Sequence, residues 1–250
     1  MSWEIELELA ISAAKAAGEL LVKLQQQPRE VLKNQDHDLK LHADIQSEQV
    51  IINKLMSSSP YPVLAEETGE SGIFNSDDPM WIVDPLDGTL NFSRKLPLYC
   101  VSVGLWKGEQ PLLGVIYDVH HNELFSGLVG KGAWCDRKPI TVSDTIKKDK
   151  AVLATGFPIK RNFSSVSLDT FIKRIQSFKK VRLLGSAALS LAFLACGRVD
   201  AYTEEDIFLW DVAAGVALVK AAGGWVSVED SDRHKWARIV TCSANETLIT

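Results

Sequence analysis

Residues 81–92 read Trp81-Ile82-Val83-Asp84-Pro85-Leu86-Asp87-Gly88-Thr89-Leu90-Asn91-Phe92. The apolar run at the start predicts a buried strand, and the Asp, Pro, Asp and Gly after it do not continue a strand well. Because Pro85 lacks an N–H and fixes its own φ, we expect Asp84 and Asp87 to be held in one stiff bend at the strand's end. Gly88 and Thr89 offer N–H groups to an anion, more so if a helix begins there. This arrangement suits a hard divalent cation beside a phosphate ester.

Three alternatives compete for these residues. A surface turn is the simplest, because Asp-Gly after a strand is a common turn signal. An EF-hand is excluded, since its loop needs oxygen ligands at alternate positions before the glycine, where this chain has Val83 and Pro85. A phosphatase of the haloacid dehalogenase type is also excluded, because one residue would separate its two aspartates and here two residues do.

Two motifs resemble the signatures of the inositol monophosphatase family. The segment from Asp84 to Phe92 is similar to the first signature, and the segment from Trp210 to Gly215 is similar to the second. Glu66 lies upstream, where the family has its other metal-binding glutamate. The similarity keeps the same order through nearly the whole chain, so it implies a phosphatase that uses Mg²⁺ and is inhibited by lithium.

The resemblance implies that acidic groups from four separate places in the sequence converge on two or three Mg²⁺ ions. One ion is assigned to Glu66, Asp84 and the carbonyl of Leu86, and a second to Asp84, Asp87 and Asp211. In the family a weaker additional metal site is bordered by residues that match Lys33 and Asp36. Without metal, like charges roughly 5 Å apart repel by about 3 kcal/mol per pair at an effective dielectric near 20. Oxygen ligands of this kind suit Mg²⁺ better than zinc or copper.

Asp44 and Thr89 match the pair that orients the attacking water in the family. On the residues alone, Asp44 could equally be the N-cap or a first-turn acid of the helix that follows it. Glu66 is counted with this catalytic pair because the ion assigned to it activates the water.

The expected substrate contacts follow from the same resemblance: Asp87, Gly88, Thr89, Gly185, Ser186, Ala187, Glu204 and Asp211. Glu204, which we expect in a loop with Glu205 and Asp206, matches the residue that accepts a hydrogen bond from an inositol hydroxyl, so inositol 1-phosphate is the expected substrate. Histidinol phosphate, fructose 1,6-bisphosphate and 3′-phosphoadenosine 5′-phosphate remain alternatives with the same chemistry. A binding or regulatory protein on the same fold is an alternative of another class, since some bacterial relatives also bind transcription machinery.

Composition is that of an ordinary soluble enzyme, with 46% hydrophobic and 24% charged residues. The net charge of −5 argues against nucleic acid as the main partner. The four cysteines are far apart, which predicts reduced thiols and a cytoplasmic protein. We expect no membrane partner, because the acidic N-terminus is unlike a signal peptide and no apolar run approaches the ~20 residues of a membrane span.

Periodicity by itself predicts a mixture of helices and strands, including an amphipathic helix over residues 3–21 and an antiparallel meander after Phe92. The resemblance implies a mixed α+β fold, an αβαβα layered sandwich of the sugar-phosphatase type, and a homodimer. A composition change at residues 143–150 suggests two lobes. Residues 1–145 would carry most metal ligands, and residues 146–250 would carry Asp211 and substrate contacts.

Overall fold

The computed structural model describes residues 3–26, 42–75, 78–157 and 164–249. These residues form alternating layers of helices and sheets, which confirms the predicted mixed α+β class and the αβαβα order. Within them, no helix is both long and apolar enough to cross a lipid bilayer.

Two long helices form the first layer. They are α1 (Glu4–Gln25) and α2 (His42–Ser58), which pack against each other and against the first sheet. The face of α1 that enters the core carries small residues, Ala10, Ala14 and Ala17 among them, so the helix lies close to the strands beneath it. The amphipathic helix predicted at the N-terminus is thereby confirmed.

The first sheet has eight strands in the order β2-β1-β3-β4-β5-β6-β7-β8. Their bounds are β1 Val63–Ala65, β2 Gly69–Ser71, β3 Pro79–Asp87, β4 Cys100–Lys107, β5 Gln110–Asp118, β6 Glu123–Leu128, β7 Gly132–Cys135 and β8 Lys138–Ile140. The short helix α3 (Thr89–Arg94) follows β3. From β3 onward each strand pairs antiparallel with the next, as the predicted meander requires, whereas β1 and β3 are parallel.

The second sheet has five strands in the order β10-β9-β11-β13-β12. In chain order the elements after the first sheet are β9 Val152–Thr155, α4 Ser165–Gln176, β10 Lys180–Arg182, α5 Ala187–Ala195, β11 Ala201–Phe208, α6 Leu209–Ala221, β12 Trp225–Asp230 and β13 Ala237–Ser243. All strands of the first sheet precede residue 141 and all strands of the second follow residue 151. The division into two lobes near residue 145 stays a prediction.

Helices α5 and α6 lie between the sheets and contact both. Gly114 on β5 allows the close approach of α6, because a Cβ there would lie 2.0 Å from the carbonyl oxygen of Ala214. As a result, α6, which carries Asp211 in its first turn, contacts the middle strands of the first sheet.

Candidate metal and phosphate site

A one-residue bulge in β3 shapes the site. Asp84 pairs with Ser102 and Asp87 pairs with Cys100, so three steps along β3 match two along β4. The strand therefore continues to Asp87, and the prediction that it ends at Asp84 is wrong. In a regular strand residues three apart point to opposite faces, so the extra residue brings both carboxylates to one face.

Hydrogen bonds hold the backbone of the bulge in place. The Ser47 hydroxyl donates to the carbonyl of Pro85 at 2.8 Å, and the N–H of Leu86 donates to Asp84 Oδ1 at 3.0 Å. The carbonyl of Leu86 accepts the Thr89 hydroxyl at 3.0 Å and keeps a second lone pair. The bend is therefore fixed from both sides.

Gly88 joins the bulge to α3 with φ at +89°. A Cβ at this position would also lie 2.7 Å from the carbonyl oxygen of Leu98, so only glycine fits. The helix begins directly afterwards at Thr89, as expected for a segment whose N–H groups face an anion.

Asp44 and Thr89 meet as the resemblance implies. Asp44 is buried in the first turn of α2, and its Oδ1 lies 3.0 Å from the Thr89 hydroxyl. That hydroxyl has one proton and two acceptors in reach, Asp44 and the carbonyl of Leu86. When the proton points to either, the Thr89 oxygen can accept a hydrogen bond from water.

Glu48 is a site residue that sequence reasoning missed. It is buried on α2, four residues after Asp44, and its two oxygens accept the N–H groups of Glu67 at 2.9 Å and Thr68 at 3.0 Å. The turn directly after Glu66 is thus tied to the helix that carries Asp44. The spacing of four residues, which places both acids on one helix face, is the signal that could have found it.

We expect Glu48→Gln to raise the Mg²⁺ concentration for half-maximal activity by about 3- to 10-fold, because the glutamine NH₂ group would face a backbone N–H and loosen the Glu66 turn. Metal titrations of activity at saturating substrate would measure the effect, with Gln49→Ala on the exposed face of α2 as the control. An unchanged metal requirement in Glu48→Gln would show that Glu48 does not position Glu66.

Asp87 is anchored on the start of α5. Its Oδ2 accepts hydrogen bonds from the Ser186 hydroxyl at 2.5 Å and from the N–H of Ala188 at 2.7 Å. The Ser186 hydroxyl oxygen in turn caps the helix, because it accepts a hydrogen bond from the N–H of Leu189. Asn91 extends this link, because its side-chain NH₂ lies 2.8 Å from the carbonyl of Leu184. The second half of the chain is therefore joined to the first-signature segment by hydrogen bonds.

Asp211 and Glu204 approach from the second sheet. Asp211 lies in the first turn of α6 and accepts the N–H of Phe208 at 3.1 Å. Glu204 lies within β11, although a loop was predicted there; its Oε2 accepts the Tyr202 hydroxyl at 2.9 Å.

The electrostatics of the acidic side chains show that they lie together. Burial raises the pKa of Asp84 well above its usual range, and the charges of Glu66, Asp87 and Asp211 raise it further. Burial, followed by Asp44 and other nearby acids, raises the pKa of Glu66 to about 8, and burial raises that of Asp87 to about 6. The charges of Glu66, Asp87 and Glu204 likewise add to the effect of burial in raising the pKa of Asp211.

Acids from the turn after β1, from β3 and from α6 therefore raise one another's pKa in the interior. Within the described ranges, no three Asp, Glu, His or Cys side chains stand in the geometry of a metal site, so the ligand assignment stays a prediction. Lys33 and Asp36 lie outside the described residues.

A cavity of about 280 Å³ opens beside Asp87 and Asp211. Gly185, Ser186, Ala187 and Glu204 line it together with Phe157 and Ile207. The structure therefore places six of the eight predicted substrate contacts around one space; Gly88 and Thr89 adjoin it through Asp87 along the chain. Larger cavities exist elsewhere, but this one adjoins the acidic cluster.

Comparisons with known proteins identify the family to which this chain is similar. The model of the inositol monophosphatase family matches residues 3–247. An inositol-1-monophosphatase from Synechocystis is 40% identical over 228 residues, covering 90% of this chain and 79% of that relative. A Nus factor SuhB from Xylella fastidiosa is 38% identical, covering 88% and 80%. The solved inositol monophosphatase of Anabaena superposes with a TM-score of 0.81 at 39% identity, covering 96% of this chain and 91% of that one.

Proposed function

Because this chain belongs to the inositol monophosphatase family and is a phosphatase, we propose that it hydrolyses the phosphate monoester of a small polyol, inositol 1-phosphate first. The observation that carries the proposal is that Asp87 and Asp211, which come from separate parts of the chain, line one cavity that a phosphate ester could enter, while their charges act on the buried Asp84. Buried acids that raise one another's pKa are typical of a functional site.

The donor set fits a hard divalent cation. Four buried or nearly buried carboxylates and the free lone pair of the Leu86 carbonyl are all oxygen ligands, the type that Mg²⁺ prefers. Glu66, Asp84, Asp87, Asp211 and Leu86 would hold two or three ions. Bound Mg²⁺ would supply a water of lowered pKa and charge neutralisation at the leaving oxygen.

The residues of the chain position the reactants. Thr89, whose hydroxyl lies beside Asp44, would hold a water by accepting a hydrogen bond from it. The N–H groups at the start of α3 would donate to the phosphate oxygens, and Gly88 would allow the backbone to approach them. Direct attack by this water needs no nucleophilic side chain.

Glu204 would select a substrate with hydroxyl groups. Burial raises the pKa of Glu204 to about 7, while hydrogen bonds from Tyr202 and the backbone of Gly156 favour its charged form. A panel of inositol 1-phosphate, histidinol phosphate, fructose 1,6-bisphosphate and 3′-phosphoadenosine 5′-phosphate, compared by kcat/KM, tests the assignment. We expect the highest kcat/KM for inositol 1-phosphate. A clear preference for another ester would overturn the proposal.

Tyr202→Phe is expected to raise KM for inositol 1-phosphate about 5- to 10-fold with little change in kcat, because Glu204 loses the donor that fixes it. The phenyl phosphate kcat/KM should stay unchanged, since that ester offers no hydroxyl to Glu204. Tyr117→Phe is the matched control, as its hydroxyl donates to Asn122 away from the site. Equal losses on both esters would assign Tyr202 a purely structural role.

A second candidate is a regulatory role, favoured by relatives named Nus factor SuhB at 36–38% identity. Affinity capture of transcription proteins with the purified chain, with and without Mg²⁺, would test it. Specific capture by Asp84→Asn would separate this role from catalysis, and no capture would count against it. The homodimer is proposed on the resemblance alone, and the cytoplasmic location on the spacing of the four cysteines.

A further inference from the structure

A second cavity lies on the outer face of the second sheet, on the side away from α5 and α6. Its volume is about 370 Å³, and α4, the 3-10 turn Lys148–Lys150 and the C-terminal turn Glu246–Leu248 surround it. The residues that matter for its chemistry are Lys148, Lys173, Arg174, Phe178, Thr203 and Thr241. Cavities of this size accept small ligands.

The rim of this cavity is positively charged. Neither Lys148 nor Lys173 forms an ion pair with an acid in the described part of the chain, and Arg174 shares only one of its nitrogens with Glu205 at 3.1 Å. The exposed Lys147 and Lys150 lie close to Lys148 in the sequence. In a chain of net charge −5 this is a local reversal of sign.

The floor provides a hydroxyl donor. The Thr203 and Thr241 hydroxyl oxygens lie 3.1 Å apart on paired strands, and Thr203 is 6% exposed. Each hydroxyl has one proton, and only one of the two protons is used in the bond between them. The other has no acceptor among the described side chains, so it can donate to a ligand.

From this combination we propose that the cavity binds a small phosphate-bearing anion. Two unpaired ammonium groups and an arginine at the rim, with a hydroxyl donor beneath, match the several acceptor oxygens of a phosphate group. The site is separate from the acidic cluster, which repels anions when metal is absent. It adjoins the substrate cavity through β11, because Thr203 and Glu204 are neighbours whose side chains leave the strand on opposite faces.

Calorimetric titration of the whole chain with inorganic phosphate in EDTA tests the proposal, since the chelator removes metal-dependent binding at the acidic cluster. Wild-type protein should bind one phosphate per chain. Lys173→Ala/Arg174→Ala should weaken binding at least about 10-fold through lost charge-assisted hydrogen bonds, and the isosteric Thr241→Val about 3-fold or more.

The matched control is Lys179→Ala/Lys180→Ala, which removes two exposed lysines of the same surface that do not line the cavity. It should change the dissociation constant less than about 2-fold, as exposed charges act weakly at a distance in salt. No phosphate binding by the wild type would overturn the proposal. An equal loss in the control and the cavity variants would also overturn it, since it would mean attraction to the surface charge only. Circular dichroism of every variant excludes loss of folding as the cause.

Discussion

Asp84→Asn is expected to lower kcat/KM for a phosphate monoester by at least about 10³-fold while the fold persists. Asp84 is buried among the charges of Glu66, Asp87 and Asp211, and it is assigned to both metal ions, so its charge has no substitute. Asparagine has the same shape and keeps an oxygen for the N–H of Leu86. The metal-free variant should also be more stable than wild type, because one of several repelling carboxylates is gone.

Steady-state kinetics across a Mg²⁺ titration would measure this loss, with circular dichroism to check the fold. Asp200→Asn is the matched control: Asp200 is also buried and accepts the Ser143 hydroxyl and the N–H of Val152, but it lies outside the acidic cluster. The control should retain activity within a few-fold. If Asp84→Asn kept near-wild-type turnover in excess Mg²⁺, the site assignment would be wrong.

The stability of the metal-free protein should fall as pH rises from about 5 to 8.5. Glu66 has a pKa of about 8 in the fold against 4.5 for the free side chain, and Asp87 about 6 against 3.8. Between those values the unfolded chain binds fewer protons than the folded chain, so the stabilisation present at low pH is lost as pH rises. Because the acids are coupled, we expect a loss of a few kcal/mol, or roughly 5–10 °C in Tm.

Saturating Mg²⁺ should flatten or reverse this slope, because the ion takes the place of the bound protons. Differential scanning calorimetry at several pH values, in EDTA and in Mg²⁺, would compare the two slopes directly. Identical slopes in both buffers would mean that the cation does not bind among these acids.

Sequence pattern predicts the elements well where periodicity is strong, as in α1 and the meander from β4 to β7. It does not predict the course of β3, because the run of Asp and Pro resembles a strand end and only pairing with β4 turns it into a bulge. It also places Glu204 in a loop, although β11 passes through it with its own register shift. Both errors occur where a strand departs from regular geometry: β3 between Asp84 and Asp87, and β11 directly after Glu204.

The acids proposed to bind metal could be named from sequence because they lie in recognisable motifs at strand ends and helix starts. The residues that hold these acids in place could not be named from sequence. Glu48 and Tyr202 act through hydrogen bonds to groups that tertiary structure brings near, and a buried glutamate or tyrosine has no distinctive pattern of its own. Asn91 likewise gains its role only when the Leu184 carbonyl lies beside it.

The most direct test of the central claim is an anomalous-scattering map from crystals of the protein grown with Mn²⁺ in place of Mg²⁺. We predict at least one strong peak within coordination distance of Asp84 and of both Glu66 and Asp211, or two peaks that Asp84 bridges. A map with no peak among these three carboxylates, at a Mn²⁺ concentration that supports full activity, would contradict it.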